Sequence, residues 1–242
     1  MEIKKREVIF SIIIIAVMLI IGFFISEHMQ QKQLEEYQTY DAAVKIDNDE
    51  ELFRYGMKTD IGNAFVSGDI KTLDPVGFPE VKGEYSFIKK EEQKYRRHTR
   101  TVTETYTDSK GKTHTKTKEE EYWTWDTMKT EKKKATKISF LNVEFAYDKI
   151  PLPSSRQIEI LDTGYHKRNV YYATGTAFKG TIFTSLKGNT INKTKFYKDQ
   201  TISQTVENLE SGNGVLIFWI FWIILIIGAV IGFYYAENRW LD

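Results

Sequence analysis

Two long apolar runs stand near the ends of the chain, and the segment between them is polar with stretches of strict alternation. Residues 214–236 (GVLIFWIFWIILIIGAVIGFYYA) hold no charged side chain, and residues 8–25 (VIFSIIIIAVMLIIGFFI) are interrupted only by Ser11. At ~1.5 Å of rise per residue, helices of this length cover about 27–35 Å, against a hydrocarbon core of about 30 Å. Each run predicts a transmembrane helix, because lipid offers no partner to unpaired backbone groups. Trp219 and Trp222 near one end of the second run, with Tyr234, Tyr235 and Trp240 near the other, have the spacing of two aromatic belts. No small-x-small cleavage site follows the first run, so it reads as an anchor and not as a cleaved signal peptide.

Lys4, Lys5 and Arg6 precede the first run. Basic clusters beside a first span stay cytoplasmic. The expected layout is a cytoplasmic N-terminus (1–7), a first span (8–25), an extracytoplasmic domain (26–213), a second span (214–236) and a cytoplasmic tail (237–242). Residues 26–40 are polar helix formers and continue the first helix as a stalk. Residues 41–46 start a strand. Asp47-Asn48-Asp49-Glu50 caps a short helix over 49–55. From residue 63 the chain reads as strands: 64–73, stopped by Asp74-Pro75, then an extended 83–90. Residues 136–145 alternate, with one slip, as a core strand. Ser154 or Ser155 caps a short helix through Leu161. Three strands, 169–177, 178–186 and 190–197, precede a helix capped by Asp199 or Thr201, with Ile202, Val206 and Leu209 on one face.

The most informative polar stretch is 95–125. Thr recurs at 99, 101, 103, 105 and 107, then at 113, 115 and 117, a period of two that predicts strands. Asp108-Ser109-Lys110-Gly111 reads as a type I turn with Gly111 in the left-handed position. That turn fixes a register in which partner numbers sum to 220: Thr105 with Thr115, Arg100 with Glu120, Arg97 with Trp123, Tyr95 with Trp125. Each opposite-charge, Thr or aromatic pair contributes about 0.2–1 kcal/mol. The outer half has almost no large apolar residue, so it is expected to project as a solvated β-hairpin. Its base differs: Tyr95, Tyr122, Trp123 and Trp125 can be buried. Residues 129–137, with Lys132-Lys133-Lys134, read as a solvated turn. The fold class is α+β, with two transmembrane helices flanking a β-rich domain.

Composition narrows the chemistry. The 242 residues include no Cys, which excludes disulfides, thiolate metal sites and Cys nucleophiles. A net charge of +1 gives no nucleic-acid footprint. His28, His98, His114 and His166 are dispersed without metal-ligand spacing, and no catalytic motif is present, so no metal, cofactor or enzymatic activity is expected. Within the second span Gly228-x-x-x-Gly232 is a helix-packing motif, with Gly22, or Ala16 and Ser11, as partners in the same chain or another copy as the alternative. The candidate partner-binding residues are Arg97, Arg100, Tyr106, His114, Lys116, Trp123 and Trp125.

Several features carry a resemblance. They are Val66-Ser67-Gly68-Asp69-Ile70 with the Leu73-Asp74-Pro75 stop, the charged-aromatic hairpin 95–125, the Gly175-Thr176-Ala177 and Gly180 strands, and a polar helix entering the membrane at Gly214. In these the chain resembles the "beside-a-membrane" proteins, both LUMA-type and GIDE/MULAN-like. The resemblance implies a β-rich domain between two membrane helices and a scaffolding or stress- and defence-related role. It carries no catalytic residue, and no Cys-rich RING follows the second span here. The functional expectation is a membrane-anchored binding, scaffold or sensor protein that contacts the bilayer and a protein partner, or associates with itself. A superinfection-exclusion or antiviral-defence protein and an envelope-acting enzyme are the alternatives.

Overall fold

The structure, a computed structural model, describes residues 5–240. It is α+β: two long apolar helices, α1 (Lys5–Asp41) and α4 (Gly214–Trp240), flank a β-rich domain. Each contains a stretch long and apolar enough to cross a membrane. Lys4 lies outside the described residues, as do 241–242.

The helices run antiparallel and touch along one face of each. The Arg6 guanidinium meets the Glu237 carboxylate at 2.7 Å, and the Ser11 and Tyr234 hydroxyls lie 3.3 Å apart. Trp222 Nε1 donates to the Met18 carbonyl at 2.9 Å, and Trp219 Nε1 donates to Ser26 Oγ at 3.1 Å. Both indoles therefore turn toward α1, not outward as an aromatic belt would. Gly22 makes this possible, because a Cβ there would stand inside the Trp222 ring. Gly228 and Gly232 have open space where a Cβ would point, so the packing partner expected for them within the chain is not formed. Interhelical hydrogen bonds in lipid contribute on average about 0.6 kcal/mol each.

Helix α1 continues unbroken past the apolar stretch, as its polar helix formers predict. Its far end is tied to the chain entering α4: Tyr37 donates to the Glu210 carbonyl at 2.5 Å and Gln33 to the Gly212 carbonyl at 2.8 Å. Then come β1 (Val44–Asp47), α2 (Glu50–Lys58) and β2 (Gly62–Thr72). Asp49 caps α2 by accepting from the Leu52 amide. Strand β2 is central to a six-stranded sheet. Strand β9 (Ala177–Leu186) lines one edge, while β1, parallel, and β5 (Lys137–Phe140), antiparallel, share the other. Strands β6 (Val143–Ala146) and β10 (Ile191–Lys198) are the outer strands.

Both faces of this sheet are covered, which is why Ala64-Phe65-Val66 is apolar without alternation. Phe53 and Met57 of α2 pack on Ala64, Val66, Ile182 and Leu186. On the other face α3 (Ile202–Glu210), capped by Thr201, packs Ile202, Val206 and Leu209 with Tyr40 on Phe65 and Phe183.

A second sheet has the order β4-β3-β8-β7, with β3 (Phe87–Thr107), β4 (Thr113–Lys134), β7 (Arg156–Gly164) and β8 (Lys167–Thr174). The sum-to-220 register is observed from Gln93–Thr127 to Thr107–Thr113, with Gly111 at φ +77°. Pairing continues below the expected base, after a bulge at Met128, to Phe87–Lys134. Lys132, Lys133 and Lys134 are therefore the end of a strand and not a turn. Two further expectations are corrected. Residues 136–145 form two strands joined by Leu141 and Asn142, both at positive φ, so the slip in alternation marks a tight turn. Residues 154–161 begin no helix; Arg156–Gly164 pairs with β8 as an edge strand.

The two sheets meet at Asp74, which accepts from the Thr136 amide (2.8 Å), the Thr136 hydroxyl (2.6 Å) and the Lys137 amide (2.9 Å). These bonds, led by the Thr136 hydroxyl, hold its pKa down to about 2. A carboxyl depressed on folding contributes stability above its unfolded pKa and loses it as pH falls toward the folded one. The contribution should therefore disappear between about pH 4 and pH 2. Urea midpoints measured over that range should fall less steeply in Asp74→Ala than in the parent; parallel slopes would refute the linkage.

Candidate partner-binding face

Strand β3 is paired with β8 only as far as Lys94, and from Tyr95 to Thr107 its pairing is with β4 alone. Side chains on a two-stranded ribbon alternate between faces, so the register splits the seven candidate residues. Arg97, Trp123 and Trp125 share one face with Tyr95. Arg100, Tyr106, His114 and Lys116 share the other with His98 and Tyr122.

The first face is aromatic. Tyr95 stacks on Trp123 (5.4 Å between centroids, 24°) and meets Trp125 at 5.2 Å. The β7–β8 turn closes against them: the Tyr95 amide donates to the His166 carbonyl at 2.9 Å, and the His166 ring meets both Tyr95 and Trp123 edge-on. Tyr165 stacks on His166 and is 87% exposed. The Arg168 guanidinium lies 4.0 Å over the Trp125 ring, and its Nε donates to Gln93. Arg97 binds Glu121 at 3.0 Å just beyond. The base, which its residue types allow to be buried, is covered only in part: Trp123 is 50% exposed and Tyr122 42% exposed, with Tyr95 and Trp125 half-buried. A ribbon joined to its sheet along one edge gives these rings nothing to pack under.

The second face is a polar ladder. His98 Nε2 lies 2.8 Å from Asp126 and its ring stacks on Tyr122; His114 Nε2 lies 2.8 Å from Asp108 and stacks on Tyr106. Asp108 also accepts the Lys110 and Lys112 amides across the turn. Its pKa is lowered, first by His114 and then by the Lys112 amide. Arg100 and Lys118 both pair with Glu120 and lower its pKa. Lys118 also takes Glu104, the carboxylate opposite Lys116.

Tyr165, His166 and Arg168 were not singled out from the sequence. The signal was Gly164-Tyr165-His166 between two extended segments, hidden once 154–161 was read as a helix. Among the described residues no group of three or more His, Asp or Glu is placed to hold a metal ion. No protein-family model, curated protein or solved structure matches the chain.

Proposed function

We propose that this chain is a two-pass membrane protein whose β-rich domain, held outside the cytoplasm, captures a protein partner on the aromatic face of the β3–β4 ribbon without catalysing a reaction. The projecting ribbon acts as the capture arm. The supporting observation is the exposed cluster of Tyr95, Trp123, Trp125 and Tyr165 flanked by Arg97 and Arg168. Trp, Tyr and Arg dominate the residues that carry binding energy in protein interfaces, and a solvated patch of them has a cost that a partner would relieve. The layout is that of the beside-a-membrane resemblance, and the basic leader supports cytoplasmic termini.

Affinity purification of the full chain in mild detergent should recover a partner that Trp123→Ala and Tyr165→Ala each weaken by roughly 30-fold, the loss of about 2 kcal/mol. Capture unchanged in both variants would overturn the assignment of this face. Protease added to intact cells should cut between α1 and α4 and leave both termini intact; a protected middle segment with accessible termini would reverse the orientation.

A further inference from the structure

Two β-bulges fall at the same level of the second sheet, on its opposite edges. Thr127 of β4, Gln93, Arg168 and Asp162 of β7 lie along one rung, and the extra residues Met128 and Thr163 sit beside it. A bulge bends its strand away from the ladder. Between them lies a cleft of about 330 Å³ lined by Glu92, Lys94, Arg96, Met128, Lys167 and Arg168, among others.

The charges in this cleft do not balance. Lys94 and Lys167 are directly opposite one another on the last rung of the β3–β8 pair, where like charges destabilise a sheet. Arg96 follows on the same face of β3. Among the described residues none of these three cations makes an ion pair. Nearby carboxylates do not serve them. Asp126, opposite Lys94 on β4, is held through both oxygens by His98 at 2.8 and 2.9 Å, and Glu92 makes no ion pair with Lys94. Arg168 is committed to Gln93 and Trp125. Gln93 and Trp125 leave the charge of Arg168 in place, so four cations face Glu92 in the lining, an excess of three positive charges.

We propose that this cleft binds a phosphate monoester, whose charge of about −2 and three acceptor oxygens match two lysines and an arginine converging from two strands. A carboxylate ligand would carry half the charge, and the carboxylates already at hand leave the lysines unpaired. Lys94, Arg96 and Lys167 lie on the face opposite Trp123, and the proposal does not rest on the partner-capture reading.

The full chain in phosphatidylcholine nanodiscs tests it. Inorganic phosphate at fixed ionic strength should raise the Tm by several degrees over chloride, since a ligand of the native state stabilises it. Lys94→Gln and Lys167→Gln should melt no lower than the parent in chloride, because each relieves the lysine pair, and should bind phosphate at least tenfold more weakly. Lys132→Gln should keep the parent's response. Equal rises in phosphate and chloride, undiminished responses in both lysine variants, or stabilisation by polyglutamate and none by phosphate would each overturn the site. Flotation with phosphatidic acid vesicles that free phosphate competes away would assign the phosphate to a lipid headgroup; a phosphate response without flotation would assign it to a soluble ester.

Discussion

Phe53→Ala should cost the domain about 3–5 kcal/mol, the range for removing a buried aromatic ring. Phe53 is fully buried and stands edge-on to Phe140 (5.6 Å, 88°) and Phe145 (6.1 Å, 61°). It is a side chain through which α2 packs on β5 and β6 of the first sheet, so three elements border the space it leaves. Domain stabilities are about 5–15 kcal/mol, so the variant should approach global unfolding. Urea denaturation of the full chain, followed by near-ultraviolet circular dichroism, measures this. Leu52→Ala, one position along α2 and 40% exposed, should shift stability by no more than about 0.5 kcal/mol. A Phe53→Ala loss under about 1 kcal/mol would mean that α2 is not part of the cooperative core.

Gly22→Leu should separate the two apolar helices where Trp222 meets α1. A side chain at Gly22 meets the Trp222 indole, which must swing away and give up its bond to the Met18 carbonyl. Small residues admit close helix approach in lipid, and enlarging one removes the contacts that hold the pair. The chain has no Cys, so a pair placed at Phe10 and Phe233, whose rings are 6.3 Å apart, reports on helix proximity by oxidation. Cross-linking should be efficient in that background and nearly lost when Gly22→Leu is added. Gly228→Leu should leave it unchanged, since nothing lies within 4 Å of the position. Loss with Gly228→Leu and not with Gly22→Leu would place the packing face on the wrong side of α4.

Much of the fold was legible because its causes are local. The turn at Asp108–Gly111 is built from neighbouring residues, and Gly111 takes φ +77°; once it is set, every pair from Thr107–Thr113 down to Gln93–Thr127 follows by counting. The caps at Asp49 and Thr201 are likewise contacts within three residues. Local signals failed where strand pairing outweighed them. Arg156–Gly164 is a strand because β8 offers it an edge, and the local Ser154-Ser155 helix-start signal does not outweigh that pairing. The seven candidate residues all lie on the ribbon, and residue parity in its register separates Arg97, Trp123 and Trp125 from Arg100, Tyr106, His114 and Lys116.

The amino-acid order alone determined two helices apolar enough to cross a membrane, the strand character between them and the ribbon's register, since each depends on periodicity or on a turn of a few residues. Only the tertiary structure decided that Gly22, and not the Gly228–Gly232 pair, receives the neighbouring helix, because that choice rests on which face of α4 its indoles occupy. It also decided that the β7–β8 turn brings Tyr165, His166 and Arg168 to the ribbon, and that Lys94 and Lys167 stand opposite each other without an ion pair among the described residues. Those meetings join strands some 70 residues apart in the chain, and only pairing across the sheet brings them together.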